Sequence, residues 1–293
     1  MTGRVIVITG ASAGIGKATA VAAAEAGMRI VVSARRRERL EELAQRCEQI
    51  QGCEALAVEA DVANPDDVQR LVDQAVERFG RIDVMLANAG MGYFSPLTEM
   101  EEAVERRMWE VNYHGSIDCL RAAAAAMRRQ EPQPGWGRGH LRLTSSIVAR
   151  VGLPYYAVYA ATKAAQHAAA ASLRLELEPE QIDVSCIYPG GTATEFFDVV
   201  AAEAGADALA ANTPKMFVQT SEQVARHIIR GVRRRKSEVW PSWLIWLGMV
   251  LWTICPWLYN VSFRVHAKNC RKALAKTHKG ALSTSESEKP AAR

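Results

Sequence analysis

The chain has 293 residues, 49% of them hydrophobic and 23% charged, which is enough to bury one large core. Six cysteines show neither a CxxC pair nor metal-ligand spacing, and no secretory pattern opens the chain; this excludes a disulfide scaffold and predicts a cytoplasmic main domain with reduced thiols. The net charge of +4 is uneven, because residues 264–293 carry eight Lys or Arg against two Glu. No nucleic-acid-reading motif accompanies this basic end, so it indicates a membrane surface or a solvated tail instead.

Short apolar runs alternate with longer helical stretches along the chain. The runs predict six strands, at residues 4–9, 29–34, 54–59, 82–87, 139–144 and 182–187. Most of them are almost continuously apolar, as expected where helices cover both faces of a parallel sheet. The alternation predicts an α/β fold with a doubly wound parallel sheet, helices on both faces, and right-handed crossovers.

A glycine-rich segment follows the first predicted strand and opens an Ala-rich helix. It reads Thr9-Gly10-Ala11-Ser12-Ala13-Gly14-Ile15-Gly16. Glycines at such a turn let the backbone approach a pyrophosphate, and the free N–H groups at the helix N-terminus can bind it. A tight strand-to-helix turn without a ligand has a similar pattern, but the position after the first strand favours a nucleotide. The contacts expected here come from Gly10, Ser12, Gly14, Ile15 and Gly16.

The end of the second strand carries the cofactor-specificity signal. It reads Ser33-Ala34-Arg35-Arg36-Arg37, without the acidic residue that an NAD-preferring site places there for the ribose 2′-OH. Arg35 and Arg36 are therefore predicted to pair with the 2′-phosphate of NADP(H). The alternative is that these arginines only form the solvated start of the second helix.

Asp61 follows the third predicted strand, at the carboxyl end of the sheet. A short carboxylate at this position is suited to bond the adenine amino group. It is equally suited to serve as a helix N-cap, since Asn64 and Pro65 follow closely.

Tyr159 and Lys163 lie four residues apart, so on a helix they share one face. A phenol with a pKa near 10 is a poor acid or base at neutral pH unless its anion is stabilised, and a cationic lysine lowers that pKa. Ser146 lies thirteen residues upstream of Tyr159, just after a strand, and its hydroxyl is suited to hold a substrate oxygen. Asn112, on a predicted helix, could anchor a water; the alternative is a polar residue satisfied within that helix.

Together these motifs resemble the short-chain dehydrogenase/reductase family, over roughly residues 3–240. They stand in the family's order and close to its spacing. The resemblance implies a Rossmann-type fold and an oxidoreductase that transfers a hydride between NADP(H) and a carbonyl or secondary alcohol. The motifs that carry it are Thr9-Gly10-(x)3-Gly14-x-Gly16, Asn88-Ala89-Gly90, Ser146, Tyr159-x-x-x-Lys163 and Pro189-Gly190.

The resemblance also implies residue roles. Tyr159 is the general acid in reduction and the base in oxidation, while Lys163 lowers its pKa and bonds the nicotinamide ribose. Ser146 orients the reacting oxygen, and Asn112 holds the proton-relay water. Further cofactor contacts are expected near Asp61 and the central sheet, and beside the nicotinamide, from Val62, Asn88, Ala89, Gly90, Pro189, Gly190, Thr192 and Thr194.

Some positions leave alternatives open. Ser145 competes with Ser146, and the thirteen-residue gap to Tyr159 favours Ser146. Either Thr192 or Thr194 could lie nearest the carboxamide. Residues 194–217 are rich in apolar side chains and predict a mobile lid over a lipophilic substrate; the alternative is that they only pack the lid onto its own domain.

The segment 239–263 has 25 residues without a formal charge and holds five of the seven tryptophans. That length can span a bilayer of about 30 Å, but tryptophan favours the interface and Pro241, Gly248 and Pro256 interrupt the run. Because both flanks are basic, an in-plane or re-entrant membrane anchor is expected. The alternative is a helical pair packed on the catalytic domain or on a second subunit.

The predicted organisation has three parts: an NADP-binding catalytic domain at 1–240, a hydrophobic C-terminal helical extension at 241–263, and a basic tail at 264–293 with disorder from Ser283. The expected partners are a lipophilic carbonyl or alcohol substrate, a membrane surface, and further copies of the chain in a homo-dimer or tetramer. No metal and no nucleic acid are expected. The competing functions are an NADP(H)-binding sensor or scaffold without turnover, and a membrane-interaction protein with a vestigial nucleotide domain. The Tyr159–Lys163 pair favours the enzyme.

Overall fold

The computed structural model describes residues 1–193, 195 and 218–287, with side chains described up to Arg271 except that of Ala193. Nine strands and nine α-helices lie in this part of the chain. The strands are β1 (Val5–Thr9), β2 (Arg29–Ala34), β3 (Ala55–Glu59), β4 (Val84–Ala87), β5 (Gly139–Thr144), β6 (Ile182–Ile187), β7 (Thr192–Ala193), β8 (Gln219–Thr220) and β9 (Glu238–Val239). The helices are α1 (Gly14–Glu25), α2 (Arg37–Glu48), α3 (Pro65–Phe79), α4 (Glu102–Trp109), α5 (Gly115–Arg128), α6 (Ala157–Leu177), α7 (Ser221–Arg233), α8 (Trp243–Ile254) and α9 (Pro256–Ser287).

Seven of these strands form one parallel sheet in the order β3-β2-β1-β4-β5-β6-β9. The short strands β7 and β8 pair separately, also in parallel. The chain order reverses between β1 and β4, and ligands of open α/β sheets bind outside the carboxyl ends of the strands at such a point. The predicted doubly wound sheet is therefore confirmed, and its switch point faces the glycine-rich segment.

Both faces of the sheet are covered, because alternate side chains of each strand enter different apolar clusters. On β1, Val5 and Val7 pack with helices α3, α5 and α6, whereas Ile6 and Ile8 pack with α1, α2 and α7. All four side chains are fully buried. A strand that is buried on both faces has no solvent-facing positions for polar residues, which explains the continuous apolar run in the sequence.

The strand boundaries differ slightly from the sequence-based ones. Strands β2, β5 and β6 have the predicted bounds, but β1 begins at Val5 and β3 at Ala55, one residue late. Strand β4 begins at Val84 because the preceding Asp83 turns its carboxylate back to the N–H of Val5. Shifts of this size at element ends are expected.

The C-terminal extension is a bent helical pair. Helix α8 ends at Ile254, and α9 starts at Pro256 and continues to Ser287, past Ser283, where the sequence predicts disorder. One helix thus crosses the predicted boundary between residues 241–263 and the basic tail. Among the described residues no single helix is long and apolar enough to cross a membrane; α8 and the part of α9 up to Arg271 pass this test together, with a bend of 116°.

Neither a disulfide nor a metal site is seen in the described part of the chain. All six cysteines are free thiols, and five of them are buried. No group of three or more His, Cys, Asp or Glu among the described residues is arranged to hold a metal ion.

Candidate active site

The glycine-rich turn is packed against the end of β4. Gly10 has a φ of +65°, and a Cβ atom there would lie 2.7 Å from the Cα of Ala89. A Cβ on Gly16 would lie 2.5 Å from the carbonyl oxygen of Gly10 and 2.7 Å from the amide nitrogen of Asn88. Since real Cβ atoms do not approach this closely, both positions require glycine. The predicted motifs at β1 and β4 thus form one unit.

Thr9 joins the same two segments by hydrogen bonds. Its hydroxyl accepts from the backbone N–H of Asn88 at 3.1 Å and of Ala89 at 3.2 Å. The side-chain amide of Asn88 donates to the Thr9 carbonyl at 3.1 Å. These contacts fix the switch point where the nucleotide is expected, and they make Asn88 and Ala89 supports of the turn.

The first turn of α1 is suited to bind an anion. The capping residue Ala13 supplies no side-chain hydrogen bond, and the turn contains no acidic residue. The N–H groups at this end therefore remain for a ligand, and the helix dipole favours a negative one. A dinucleotide pyrophosphate fits this arrangement.

The adenosine end is lined by arginines. Arg36 donates to the Ser12 hydroxyl at 2.9 and 3.1 Å, so it lies against the glycine-rich turn. It also pairs with Glu195 at 3.1 Å, as Arg39 does at 2.8 Å. Arg35 is exposed and borders a cleft of about 470 Å³ that Asp61 also lines. Since α2 begins at Arg37, Arg35 and Arg36 precede the helix.

Asp61 is held by protein groups in this structure. Its carboxylate accepts from the Ala63 N–H at 3.0 Å and from the Arg107 guanidinium. Burial raises the pKa of Asp61, but these two hydrogen bonds outweigh it and leave the pKa below its usual value. The N-cap alternative for Asp61 is wrong, because Asn64 caps α3 by accepting from the N–H of Asp66. The adjacent Val62 is buried, and its carbonyl lies so close to Gly115 that a Cβ there would be 2.6 Å away.

Lys163 is buried at the centre of the site. Only 3% of it is exposed, and its ammonium donates to the carbonyl of Thr144 at 2.9 Å. A Cβ added to Gly90 would lie 3.4 Å from the Lys163 Nζ and 3.2 Å from the Asn112 Oδ1, so these three residues converge. Burial lowers the pKa of Lys163 to about 8. The amine is therefore mostly charged at neutral pH and has lost half of its charge about one pH unit higher.

Tyr159 lies on α6 beside this amine, with the Lys163 Nζ 5.6 Å from its ring centroid. Burial raises the pKa of Tyr159 to about 12, and a hydrogen bond with the Ser146 side chain opposes that rise. The phenol is therefore protonated at neutral pH in this state. Tyr159, Ser146 and Lys163 are the groups that can hold a carbonyl oxygen and exchange a proton with it.

The two adjacent serines differ in their contacts. The Ser145 hydroxyl donates to the carbonyl of Lys163 at 2.9 Å, so it fixes the backbone of α6. The Ser146 hydroxyl accepts weakly from the Val148 N–H at 3.3 Å and meets Tyr159. This difference supports the choice of Ser146 over Ser145 as the residue that orients a substrate oxygen.

Asn112 is fully buried in a π-helical turn, Glu110–His114, between α4 and α5. The sequence predicted a regular helix here; such turns are rare and often mark functional sites. The Asn112 amide donates to the Met91 carbonyl at 2.9 Å and to the Thr162 hydroxyl at 3.0 Å, and it accepts from the Met91 N–H at 2.8 Å. Its backbone carbonyl accepts from Ser116 and Gln166. The atoms expected to hold a water therefore already have protein partners, and Asn112 also acts as a joint between α4, α5 and α6.

The segment after β6 lies next to Ser146. The Pro189 carbonyl accepts from the Ile147 N–H at 3.1 Å, and the Gly190 N–H donates to the Gln219 side chain at 3.3 Å. Thr192 is buried, and its hydroxyl donates to the Gly190 carbonyl at 3.1 Å. Thr194 and the predicted lid, apart from Glu195, lie outside the described residues.

Two residues of this site, Gln166 and Arg107, were not predicted from the sequence. Gln166, one helical turn after Lys163, binds the Asn112 carbonyl and the Ser116 hydroxyl. Arg107 reaches Asp61 across 46 positions of sequence. The spacing from Lys163 to Gln166 places both on one face of α6 and could have indicated the first contact, but nothing local indicates the second.

Comparison with known proteins places the chain in a family. The family described as short chain dehydrogenase matches residues 4–205. The chain is 31% identical over 285 residues to the Dehydrogenase/reductase SDR family member 7B of Bos taurus, covering 94% of this chain and 83% of that protein. It is 30% identical over 273 residues to the 11-beta-hydroxysteroid dehydrogenase A of Sesamum indicum, covering 90% and 76%.

Solved structures agree on the fold. An alcohol dehydrogenase from the archaeon Thermococcus sibiricus, complexed with 5-hydroxy-NADP, superposes with a TM-score of 0.70 at 30% identity, covering 81% of this chain and 95% of that one. A short-chain dehydrogenase/reductase from Burkholderia phymatum in complex with NAD superposes with a TM-score of 0.76 at 24% identity, covering 88% and 95%. With the Rossmann-type sheet and the matched family region, these findings show that the chain is an oxidoreductase of the short-chain dehydrogenase/reductase family.

Proposed function

We propose that this oxidoreductase transfers a hydride between NADP(H) and a carbonyl or secondary-alcohol carbon, with Tyr159 as the general acid and base. The observation that carries the proposal is the convergence of the Tyr159 phenol with the Ser146 hydroxyl and the buried Lys163 amine. A protein that only binds nucleotide needs the glycine-rich turn but not this group of proton-handling side chains. The observation therefore favours an enzyme over a sensor or scaffold.

Each residue of the site has a separate role in this reaction. The nicotinamide, when bound, supplies or accepts the hydride. In reduction Tyr159 donates its proton to the carbonyl oxygen, and Ser146 holds that oxygen by a hydrogen bond. In oxidation the phenolate accepts the alcohol proton, and the charge of Lys163 lowers the pKa of the phenol. Asn112 binds Thr162 and Gln166 of α6 and so fixes the position of the helix that carries Tyr159 and Lys163.

The test of the reaction is turnover against a panel of carbonyl compounds. We expect consumption of NADPH with at least one class among long-chain aldehydes, steroid ketones and acyl ketones. The apolar composition of residues 194–217 and of the C-terminal pair supports a lipophilic substrate. Stoichiometric binding of NADPH without turnover of any class would instead support the non-catalytic alternative.

The NADP(H) preference rests on Arg35 and Arg36. Arg36 contacts the glycine-rich turn through Ser12, and Arg35 lines the same cleft as Asp61, where the adenosine is expected. We expect Arg35→Asp to lower kcat/KM for NADPH about ten- to a hundredfold and to spare NADH, because a charge-assisted phosphate contact becomes a repulsion. Arg46→Asp, an exposed change in the last turn of α2, is the control and should change neither value. Equal kcat/KM values for both cofactors in the unaltered protein would contradict the preference.

We further propose that helices α8 and α9 hold the catalytic domain at the cytoplasmic face of a membrane. Large apolar side chains are exposed on α8 and on the first turns of α9: Trp243 is 69% exposed, Ile254 70% and Trp257 64%. Exposed apolar patches of this kind mark interaction sites, and tryptophan favours the membrane interface. Arg264 and Lys268, both exposed on α9, add attraction to anionic lipid of about 1 kcal/mol each before screening.

Flotation with anionic vesicles tests this anchor. We expect the unaltered chain to float with the vesicles, and a variant with serine at Trp243, Ile254 and Trp257 to stay in the soluble fraction. Leu175→Ser is the matched control, since Leu175 is 71% exposed on the catalytic domain and its loss should leave flotation unchanged. Recovery of the unaltered chain wholly in the soluble fraction, at low salt and without detergent, would remove the membrane proposal. The same preparation, analysed by light scattering, tests the proposed homo-dimer or tetramer.

A further inference from the structure

The C-terminal helix α9 touches the active site as well as facing outward. Cys270 is 2% exposed and packs in one cluster with Phe94 and Tyr156, which are each 2% exposed. Tyr159 packs against the same cluster, and the rings of Tyr156 and Tyr159 are 6.2 Å apart. The cluster against which Tyr159 packs thus includes a residue of α9, a helix that lies outside the matched family region.

A second contact ties α9 to the segment that follows Ser146. The Tyr259 hydroxyl donates to the carbonyl of Gly152, and Tyr259 packs on Phe263 of its own helix with ring centroids 4.6 Å apart. Trp252 of α8 packs on Phe263 at 5.2 Å, so both helices share this contact. The position of α9 over the Ser146–Tyr159 segment is therefore fixed at two points, Tyr259 and Cys270.

The backbone at Tyr155, just before Tyr156, is strained, so contacts with the rest of the fold must hold it in this conformation. Tyr155 has a φ of +69°, a left-handed conformation that side chains larger than glycine rarely adopt. It is held by stacking on Phe94 at 5.2 Å and by the Ser95 N–H, which donates to its carbonyl at 3.0 Å. The strain turns Tyr156 inward, onto the cluster beside Tyr159.

The Tyr156 hydroxyl is buried and has no hydrogen-bond partner among the described residues. Burial raises the pKa of Tyr156, and the neighbouring Tyr159 and Cys270 contribute to the rise, so the three polar ends share one environment. Buried polar groups in native proteins are almost always paired, and an unpaired one next to a reacting group indicates a ligand partner. The Cys270 thiol, by contrast, lies 3.4 Å from the His266 ring nitrogen.

We infer that Phe94, Tyr156 and Cys270 form the substrate-binding wall beside Tyr159, and that the Tyr156 hydroxyl binds a second polar group of the substrate, close to its reacting carbonyl. This inference rests on the proposed carbonyl reduction and narrows its substrate class. The substrate is a lipophilic ketone or aldehyde that carries a hydroxyl or ether oxygen near the carbonyl. The helix that faces the membrane then also sets substrate selectivity.

The experiment uses the full-length protein and two probes: a long-chain methyl ketone and the hydroxymethyl ketone of the same chain. In the unaltered protein we expect a higher kcat/KM for the hydroxymethyl ketone. Tyr156→Phe should lower that value about tenfold, the worth of one hydrogen bond, and should lower the value for the methyl ketone much less. Loss of both activities in parallel, or of neither, would overturn the role of Tyr156.

Substitutions at Cys270 test the contribution of α9. We expect Cys270→Leu to raise KM for a ketone with a bulky branched chain, because the larger side chain moves the wall towards the substrate. The kcat for the straight-chain methyl ketone should be kept. Cys255→Leu is the matched control at the break between the two helices and should change neither. Unchanged selectivity in Cys270→Leu, in a variant with the unaltered melting temperature, would show that α9 does not line the site.

Binding distinguishes failure of this inference from failure of the proposed reaction. If the unaltered protein turns over neither ketone and no member of the carbonyl panel, the proposed reaction is wrong. Calorimetric titration of each ketone into the NADP⁺-loaded protein then still tests whether these residues bind it. Tighter binding of the hydroxymethyl ketone that Tyr156→Phe abolishes supports the wall. Equal binding of both ketones, or binding that Tyr156→Phe leaves unchanged, contradicts it.

Discussion

Replacing Tyr159 with Phe is expected to lower kcat by at least about a hundredfold, with little change in the dissociation constant for NADPH. General acid–base catalysis by one positioned group contributes about a hundred- to ten-thousandfold, and the phenol forms a hydrogen bond with the Ser146 side chain. The ring contributes packing against Tyr156, which Phe preserves. Steady-state kinetics on a verified substrate, with cofactor binding followed by NADPH fluorescence, measures both quantities.

The control for Tyr159→Phe is Tyr188→Phe. Tyr188 is also buried, and its hydroxyl meets the ring of His167, one helical turn after Lys163 on α6, at 2.6 Å. Its loss removes a buried hydrogen bond without touching the proton path, so kcat should change by no more than a few-fold while stability falls by about 1 kcal/mol. If Tyr159→Phe retained turnover close to that of Tyr188→Phe, another group would have to supply the proton.

The sequence was sufficient for six of the seven strands of the parallel sheet, to within two residues at their ends, because these strands show local patterns. The two-residue strands β7, β8 and β9 are too short to show one. Continuous apolar runs mark strands buried on two faces, and glycine is required at Gly10 and Gly16 by contacts that recur wherever a nucleotide approaches a strand end. The Tyr159–Lys163 spacing is likewise local, since four residues form about one helical turn.

Long-range contacts could not be predicted in the same way. The π-helical turn at Asn112 depends on partners that are distant in sequence: Met91 after β4, and Thr162 and Gln166 on α6. Arg107 and Asp61 meet only because α4 lies over the end of β3. A single sequence contains no pattern that specifies which of many arginines and carboxylates pair across the fold.

The C-terminal pair shows the same limit most clearly. Its uncharged, Trp-rich composition predicted either a membrane anchor or a helical pair packed on the domain, and in the structure one part of the pair is buried while another part is exposed. Met249 and Cys270 are buried, while Trp243 and Ile254 face outward. Composition reports that a segment is apolar, but it does not report which side of a helix is covered, and Cys270 stands in a stretch that the sequence marks only as basic. The contact with Tyr156 therefore appears only once α9 is placed.

Replacing Lys163 with Met is expected to impair both catalysis and cofactor binding, with an effect that depends on pH. Burial lowers the pKa of Lys163 to about 8, so the amine is charged below that pH and neutral above it. Its charge favours the phenolate of Tyr159, whose pKa burial otherwise raises to about 12. Alcohol oxidation needs the phenolate. The kcat for oxidation of the unaltered enzyme should therefore exceed that of Lys163→Met most below pH 8, and the difference in kcat should narrow as the pH rises through that value. Loss of the ribose contact should raise the dissociation constant for NADP⁺ at every pH.

Lys163→Arg separates the charge of this residue from its shape. Arginine keeps a positive charge at all accessible pH values, so its advantage over Lys163→Met in kcat should persist above pH 8, even if its larger head group lowers kcat overall. The measurement is kcat for oxidation against pH for the three proteins, with circular dichroism to verify that each is folded, because the Thr144 carbonyl loses its donor in Lys163→Met. Parallel pH profiles for Lys163→Met and the unaltered enzyme would mean that the amine does not set the pKa of Tyr159. The pair would then be only a structural contact on one face of α6.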